Sequence, residues 1–247
     1  MIATGGQALS EERLRAYFKC SQLFHFGGTS EPDLPNRMAQ ISVEYYMSSR
    51  LRSPHRERAY LISKAILHAA KLCELDTKYL VGQQQKLANQ TTLWLDEFLN
   101  LFKPEVYHPV TGPLPWRRTV SKTAIDLRIS GIFRTVKNQT LHVLSFSPFS
   151  DRQSQVNDPV LHLKAEALVD FVKSHSKRPR AMVHMLWVRS NGKLGHDFIT
   201  SKSLNPQYMD AITRKVQQAE RSDYIPLLPC PYQCPYKNKC YPGEQSE

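Results

Sequence analysis

Three of the five cysteines, Cys230, Cys234 and Cys240, fall within eleven residues of one another in PCPYQCPYKNKCYPG. Prolines flank the thiols and apolar periodicity is slight, so the stretch has no face of its own to bury. Three thiolates converging from such a loop suit a metal ion or an iron-sulfur cluster, because ligation releases protons and orders backbone in one step. A fourth ligand must come from elsewhere. Cys20 closes the run LSEERLRAYFKC and could present its side chain to a distant loop. Cys73 lies in AYLISKAILHAAKLCEL, where Leu61, Ile62, Ala65, Ile66, Ala69 and Leu72 recur at helical spacing. It is expected to be one more small hydrophobe in mid-helix. Cys20 is therefore the better fourth ligand; tetrahedral zinc is the competing occupant, and unligated core or surface thiols are the bland alternative.

The elements that would position these thiols divide into two kinds. Ser10 is a plausible N-cap for a helix ending at Cys20, with Glu11 and Glu12 at the positive end of its dipole. After the break FGGTSEPDLP, helices are expected at about 37–52, 60–73 and 87–101. The segment VYHPVTGPLPW reads as a Pro-rich break. Beyond it the chain turns β-branched and alternating: TAIDLRISGIFRTV as one strand, KNQ as a turn, and TLHVLSFSPF as its partner. A helix at about 158–173, strands at AMVHMLWV and GHDFIT, and a last helix at about 206–221 complete the pattern. The expectation is one α/β domain over residues 1–247. Its mainly helical portion is 1–114, its sheet core 115–221, and a cysteine-rich segment at 222–247 closes onto Cys20.

Charge is distributed unevenly. Residues 1–116 carry 13 basic and 11 acidic side chains, whereas residues 117–240 carry 20 basic and 9 acidic ones, out of a formal net charge of +11. A folded region with that bias attracts polyanions, and nucleic acid gains most from it because counterion release rewards each neutralised phosphate. Solubility alone is the competing explanation. No apolar run approaches the ~18 residues that span a bilayer, and MIATGGQALSEERL lacks the pattern of a signal peptide. The expectation is a cytoplasmic protein with no membrane partner, or one in the host cytoplasm if viral, in which five cysteines do not form disulfides. His25, His68, His108, His162, His184 and the rest are scattered without ligand spacing and read as ordinary core or surface residues, while Tyr45, Tyr46, Trp94, Trp116 and Trp187 could stack bases but are expected in the core.

With LSEERLRAYFKCSQLFHFG near the start and CPYQCPYKNKC near the end, the chain resembles the iron-sulfur branch of the RecB-like PD-(D/E)xK nuclease superfamily. Relatives include the AddB nuclease domain, exonuclease V and the CRISPR adaptation nucleases. Ser10, Leu14, Tyr17, Cys20, Phe24 and Phe26 match that branch's opening helix motif. The gap between Cys230 and Cys234 is one residue longer than usual, and the gap to Cys240 matches. The resemblance implies a central mixed sheet flanked by helices, and a 4Fe-4S cluster on Cys20, Cys230, Cys234 and Cys240.

It also implies a nuclease centre, and there the sequence departs. Relatives carry Gly-x-x-Asp and then (Asp/Glu)-x-Lys on a hairpin, two carboxylates holding a divalent ion while the lysine assists the attacking water. In SGIFRTVKNQTLHVLSFSPF, Gly131 is present, but Arg134 stands where the Asp is expected, and Ser145 and Ser147 where the acid and Lys are expected. The upstream His is replaced by Val43 or Glu44, and a downstream Gln and Tyr motif is unmatched, with Lys164 nearby. The expectation is therefore a nuclease fold without nuclease activity that binds DNA, single-stranded or duplex, or scaffolds a replication, recombination or defence complex beside a helicase or nuclease subunit. Arg117, Arg118, Lys122, Arg134, Lys137 and Lys164 are the expected nucleic-acid contacts. Two alternatives stay open: an active metal-dependent exonuclease using displaced carboxylates such as Asp126, Glu44, Asp151 or Glu166, and a protein-interaction subunit that binds no DNA.

Overall fold

A computed structural model describes residues 8–19, 34–74, 83–120, 123–137, 140–147, 158, 160–164, 166, 181–200 and 206–220. Cys20, Cys230, Cys234, Cys240, Lys122 and Asp151 lie outside the described residues, as does most of the helix expected at 158–173. The Ser10 hydroxyl accepts the Arg13 backbone N–H at 3.3 Å, so the expected cap starts helix α1 (Glu11–Lys19). Helix α2 (Leu34–Arg52) begins three residues earlier than its apolar pattern suggests, with Pro35 in the first turn, where a missing N–H costs nothing. Helix α3 (Arg58–Leu72) stops before Cys73, which is its C-cap. Glu74 adopts a left-handed φ of 56° and donates its N–H to Lys71 at 3.1 Å, closing the last turn. Cys73 is thus at a helix end rather than in mid-helix, half-buried against the core, and burial raises its thiol pKa. Helix α4 (Gln83–Leu101) extends back through a glutamine run that apolar periodicity does not register.

The Pro-rich break contains two strands, β2 (Tyr107–Thr111) and β3 (Leu114–Val120), following the two-residue β1 (Leu9–Ser10). Both lie at sheet edges, which is where Pro109 and Pro115 can forgo a ladder donor. The run TAIDLRISGIFRTV is likewise two strands, β4 (Thr123–Ile129) and β5 (Gly131–Thr135), which belong to different sheets and part at Ser130. Strands β6 (Leu141–Phe146), β7 (Ala181–Val188) and β8 (Leu194–Thr200) precede helix α5 (Pro206–Glu220). The expected single sheet is therefore two. One is three-stranded, in the order β1-β4-β3; the other is mixed and five-stranded, in the order β2-β5-β6-β7-β8, with only β6 and β7 parallel. Gly131 marks the changeover because α2 packs directly on it: a Cβ there would lie 2.2 Å from Met47 Cε.

Alternation along the strands divides the core. Phe133, Leu144 and Phe146 face α2, α3 and α4, while Ile132, Val143 and Val183 face Leu161 on the other side. A third cluster joins Leu14 of α1 and Ile212 and Val216 of α5 to Ile125 and Leu127 of β4. The structure is thus α/β with mixed sheets flanked by helices, and among the described residues no helix is long and apolar enough to cross a membrane.

On the face toward the helices, His142 of β6, His184 of β7 and His196 of β8 form a row across three adjacent strands. The N···N contacts are 2.7 and 2.8 Å, and the ring of Phe102 packs on His184 and His196. As expected His142 and His184 are core residues, but the spacing of the three in the sequence does not show that they meet in space. Burial, reinforced by the two neighbouring imidazoles, pushes His184 from 6.5 down to about 3, and burial also lowers His142 and His196. A histidine whose folded pKa lies below its unfolded one stabilises the fold above about pH 6.5 and loses that contribution as pH falls toward the folded value. One proton taken up on unfolding is worth about 1.4 kcal/mol per pH unit. Urea midpoints are expected to drop between pH 7 and pH 5 by the equivalent of about 2 kcal/mol for His184 alone. The His184→Asn variant should flatten that slope; a pH-independent midpoint in the wild-type protein would refute a neutral buried row.

Candidate functional site

Strands β5 and β6 pair antiparallel across the segment read as a hairpin, with Gly131 opposite Leu144 and Arg134 opposite Leu141. Alternation places Ser145 on the face toward α1 and the helical residues 160–164, where both Ser145 and Ser147 are buried. Asp158 starts that helical stretch by accepting the Val160 N–H at 3.1 Å. One turn on, Lys164 points inward with 3% of its side chain exposed. Its ammonium donates to Ser145 Oγ at 3.1 Å and pairs with Glu11 Oε1 at 2.7 Å.

Glu11 is the hub. Besides Lys164, its carboxylate takes the Arg128 backbone N–H, and its other oxygen lies 3.5 Å from Arg15 Nη1. Arg15, one turn further along α1, places its guanidinium on both oxygens of Asp158 at 3.0–3.2 Å. Two buried anions thus meet two buried cations. Burial alone would raise the Glu11 carboxyl, yet Lys164 and Arg15 outweigh it and hold the group below its ordinary pKa. Burial likewise opposes the charge on Arg15, and Asp158 and Glu11 reverse it. The sheet junction carries a second charged group: buried Glu44 of α2 accepts from the Arg128 guanidinium and, at 2.8 Å, from Ser130 Oγ.

Glu11, Arg15, Arg128, Ser130 and Asp158 form the centre of the site, and none was singled out for it by the sequence. Glu11 reads from sequence only as a residue at the positive end of the helix dipole. The available signal was its i, i+4 spacing to Arg15, on the side of α1 that also buries Leu14. The expected metal position is not free of acids, as the hairpin alone suggested, because Glu11, Asp158 and Glu44 arrive from other elements. Each is matched by a cation.

The expected nucleic-acid contacts divide similarly. Arg134 and Lys137 are exposed on β5 and its turn. Arg117 is exposed on β3 but is clamped by Asp126 at 2.7 and 3.0 Å, an interaction that lowers the Asp126 pKa. Arg118 lies in β3, paired with Ile125. Lys164, expected to meet phosphate, is instead buried because two acceptors compete for its ammonium. Of the displaced carboxylates, Asp126 is engaged by Arg117 and Glu44 by Arg128. Among the described residues no group of three His, Cys, Asp or Glu converges on a metal position.

No family model and no curated protein matches the chain. The solved crystal structure of SSO0001 aligns over 87% of this chain and 87% of its own at 12% identity, with a TM-score of 0.29, too low to establish a common fold.

Breaking a buried ion pair by removing one partner typically costs about 3–5 kcal/mol, because the other charge is left uncompensated. Lys164→Met and Glu11→Leu are each expected to destabilise the protein by that amount in urea unfolding at pH 7, with the double variant less impaired than the sum. Single-variant losses under about 1 kcal/mol would show that the cluster is hydrated and loosely held.

Proposed function

We propose that this chain is a catalytically inactive, nuclease-like iron-sulfur protein that binds DNA and works beside a protein partner, such as a helicase or nuclease subunit, to which any cleavage belongs. The observation that carries the reading is the Lys164 ammonium held between Glu11 and Ser145, on the strand where the resemblance expects a metal-binding carboxylate. Hydrolysis through a divalent ion needs carboxylate oxygens free to replace its water shell. Glu11 and Asp158 engage Lys164 and Arg15, and Glu44 engages Arg128 and Ser130. A divalent ion entering this cluster would have to displace cations already at hydrogen-bond distance. With Glu44 held by Arg128 and Asp126 by Arg117, inactivity is favoured over an exonuclease using either carboxylate.

DNA recognition would be electrostatic and independent of sequence, carried first by Arg134 and Lys137, with Arg117 weakened by its pairing to Asp126. The cluster proposal rests on the sequence pattern of Cys20, Cys230, Cys234 and Cys240. There a 4Fe-4S group would tie the C-terminal loop to the end of the first helix, zinc being the alternative.

Binding of fluorescent single-stranded and duplex oligonucleotides should weaken with salt, the log–log slope being about 0.7 to 0.9 per phosphate contacted. R134E/K137E should reduce that slope by about 2 on duplex DNA; a salt-independent or absent signal would favour the interaction-subunit alternative. With Mg or Mn, neither substrate should be cut, and robust cleavage abolished by Glu44→Gln would overturn the inactive reading.

Anaerobically purified protein should be coloured and contain iron and sulfide, lost in Cys20→Ser and retained in Cys73→Ser. Stoichiometric zinc in a colourless protein would keep the ligands and remove the cluster.

A further inference from the structure

The turn joining α2 to α3, RLRSPHRER, concentrates charge on the far side of the five-stranded sheet from the ion cluster. Arg52, Arg56 and Arg58 are exposed, as is Lys64 one turn into α3. Arg50, in the last turn of α2, braces the loop by donating to the Arg56 carbonyl at 3.1 Å. Two acids answer these five cations: Glu57, and Asp96, which pairs with Arg58 at 2.6 Å. Tyr60, 49% exposed, stands between Arg56 and Lys64, whose cationic groups lie 5.7 and 5.6 Å from its ring centre. This basic surface falls in the part of the chain whose near-neutral total conceals it.

The same turn forms the lip of a cleft of about 340 Å³. Arg50, Leu51 and Pro54 contribute to one wall, and Phe102, Pro104 and Tyr107 to another. Its volume falls in the usual range for small-ligand pockets, ~300–1,000 Å³. Its lining is mostly aromatic and apolar, with Arg50 and His108 the basic side chains among the lining residues.

We propose that this cleft and turn bind single-stranded DNA, one unstacked base entering the cleft while the flanking phosphates lie on Arg52, Arg56 and Lys64. The inference rests on the DNA-binding reading above and adds the strand form and the place. Charge complementarity selects a polyanion. An aromatic cleft at the foot of the charged turn selects one that can release a flat apolar ring from its stack, which a single strand does and a closed duplex does not. An acidic peptide would satisfy the turn but leave the cleft without a fitting ring.

The test uses the full chain and an oligothymidine carrying one 2-aminopurine, alone and annealed to its complement. Wild-type protein should bind the single strand more tightly than the duplex and change the 2-aminopurine emission. R52E/R56E/K64E should weaken single-strand binding about tenfold or more at 100 mM salt and lower the salt slope by about 2, with unfolding midpoint unchanged. Leu51→Glu, at a position already 37% exposed, should abolish the emission change while retaining part of the affinity. Equal binding of single strand and duplex overturns the proposal, as does single-strand affinity within twofold of wild type in the triple variant. If R134E/K137E alone weakens binding, DNA binding stands and this location is wrong. If wild-type protein binds no DNA, both fall; polyglutamate bound through the turn under those conditions would identify it as an acidic-protein surface.

Discussion

Four side chains of opposite sign, Glu11, Arg15, Asp158 and Lys164, are withdrawn from water together, and each can remain charged only because the others are in place. Removing an ion from water costs several kcal/mol even after relaxation, and only close, well-directed partners repay that. Their contacts also tie together four pieces of backbone. Glu11 and Arg15 belong to α1, Asp158 and Lys164 to the helical stretch beneath the sheet, the Arg128 N–H to β4, and Ser145 to β6. The cluster therefore sets where α1 lies against both sheets with a directional precision that the surrounding Leu14, Ile125 and Leu163 do not supply.

The two faces of the five-stranded sheet resolve buried polarity differently. Toward α1 the groups are ionised and mutually neutralised. Toward α2, α3 and α4 the row of imidazoles is driven to the neutral form, in which each ring carries one donor and one acceptor nitrogen. The first arrangement resists an incoming cation and the second resists an incoming proton. Among the described residues, Glu11, Asp158 and Glu44 each have a cationic partner, and the formal net charge of the chain is +11.

The sequence made legible whatever depends on local periodicity. The helices of the first hundred residues, the Ser10 cap, the β5–β6 hairpin and the strands Ala181–Val188 and Leu194–Thr200 all follow from apolar spacing and turn chemistry. What escaped depends on partners distant in sequence. No window of TAIDLRISGIFRTV reveals that Ser130 leaves one sheet for another, since that break reflects bonds to Leu144 and Glu44. Pro109 and Pro115 argue against strands unless those strands are known to be edges. Lys164 and Glu11 resemble surface residues because their neutralisation takes place across about 150 positions of chain.

That separation bears on how the protein is made. Arg15 and Asp158 stand 143 residues apart, so α1 leaves the ribosome long before its counter-ions exist. At ~5–20 residues per second the wait is roughly 7–30 s. During it, an amphipathic nine-residue helix with Leu14 and Ala16 uncovered is too short to persist alone and too apolar on one side to be ignored by chaperones. Helix α1, translated well before its partners, is thus among the last elements to dock, and the yield of folded protein should depend on how well that segment is sheltered while the sheets assemble.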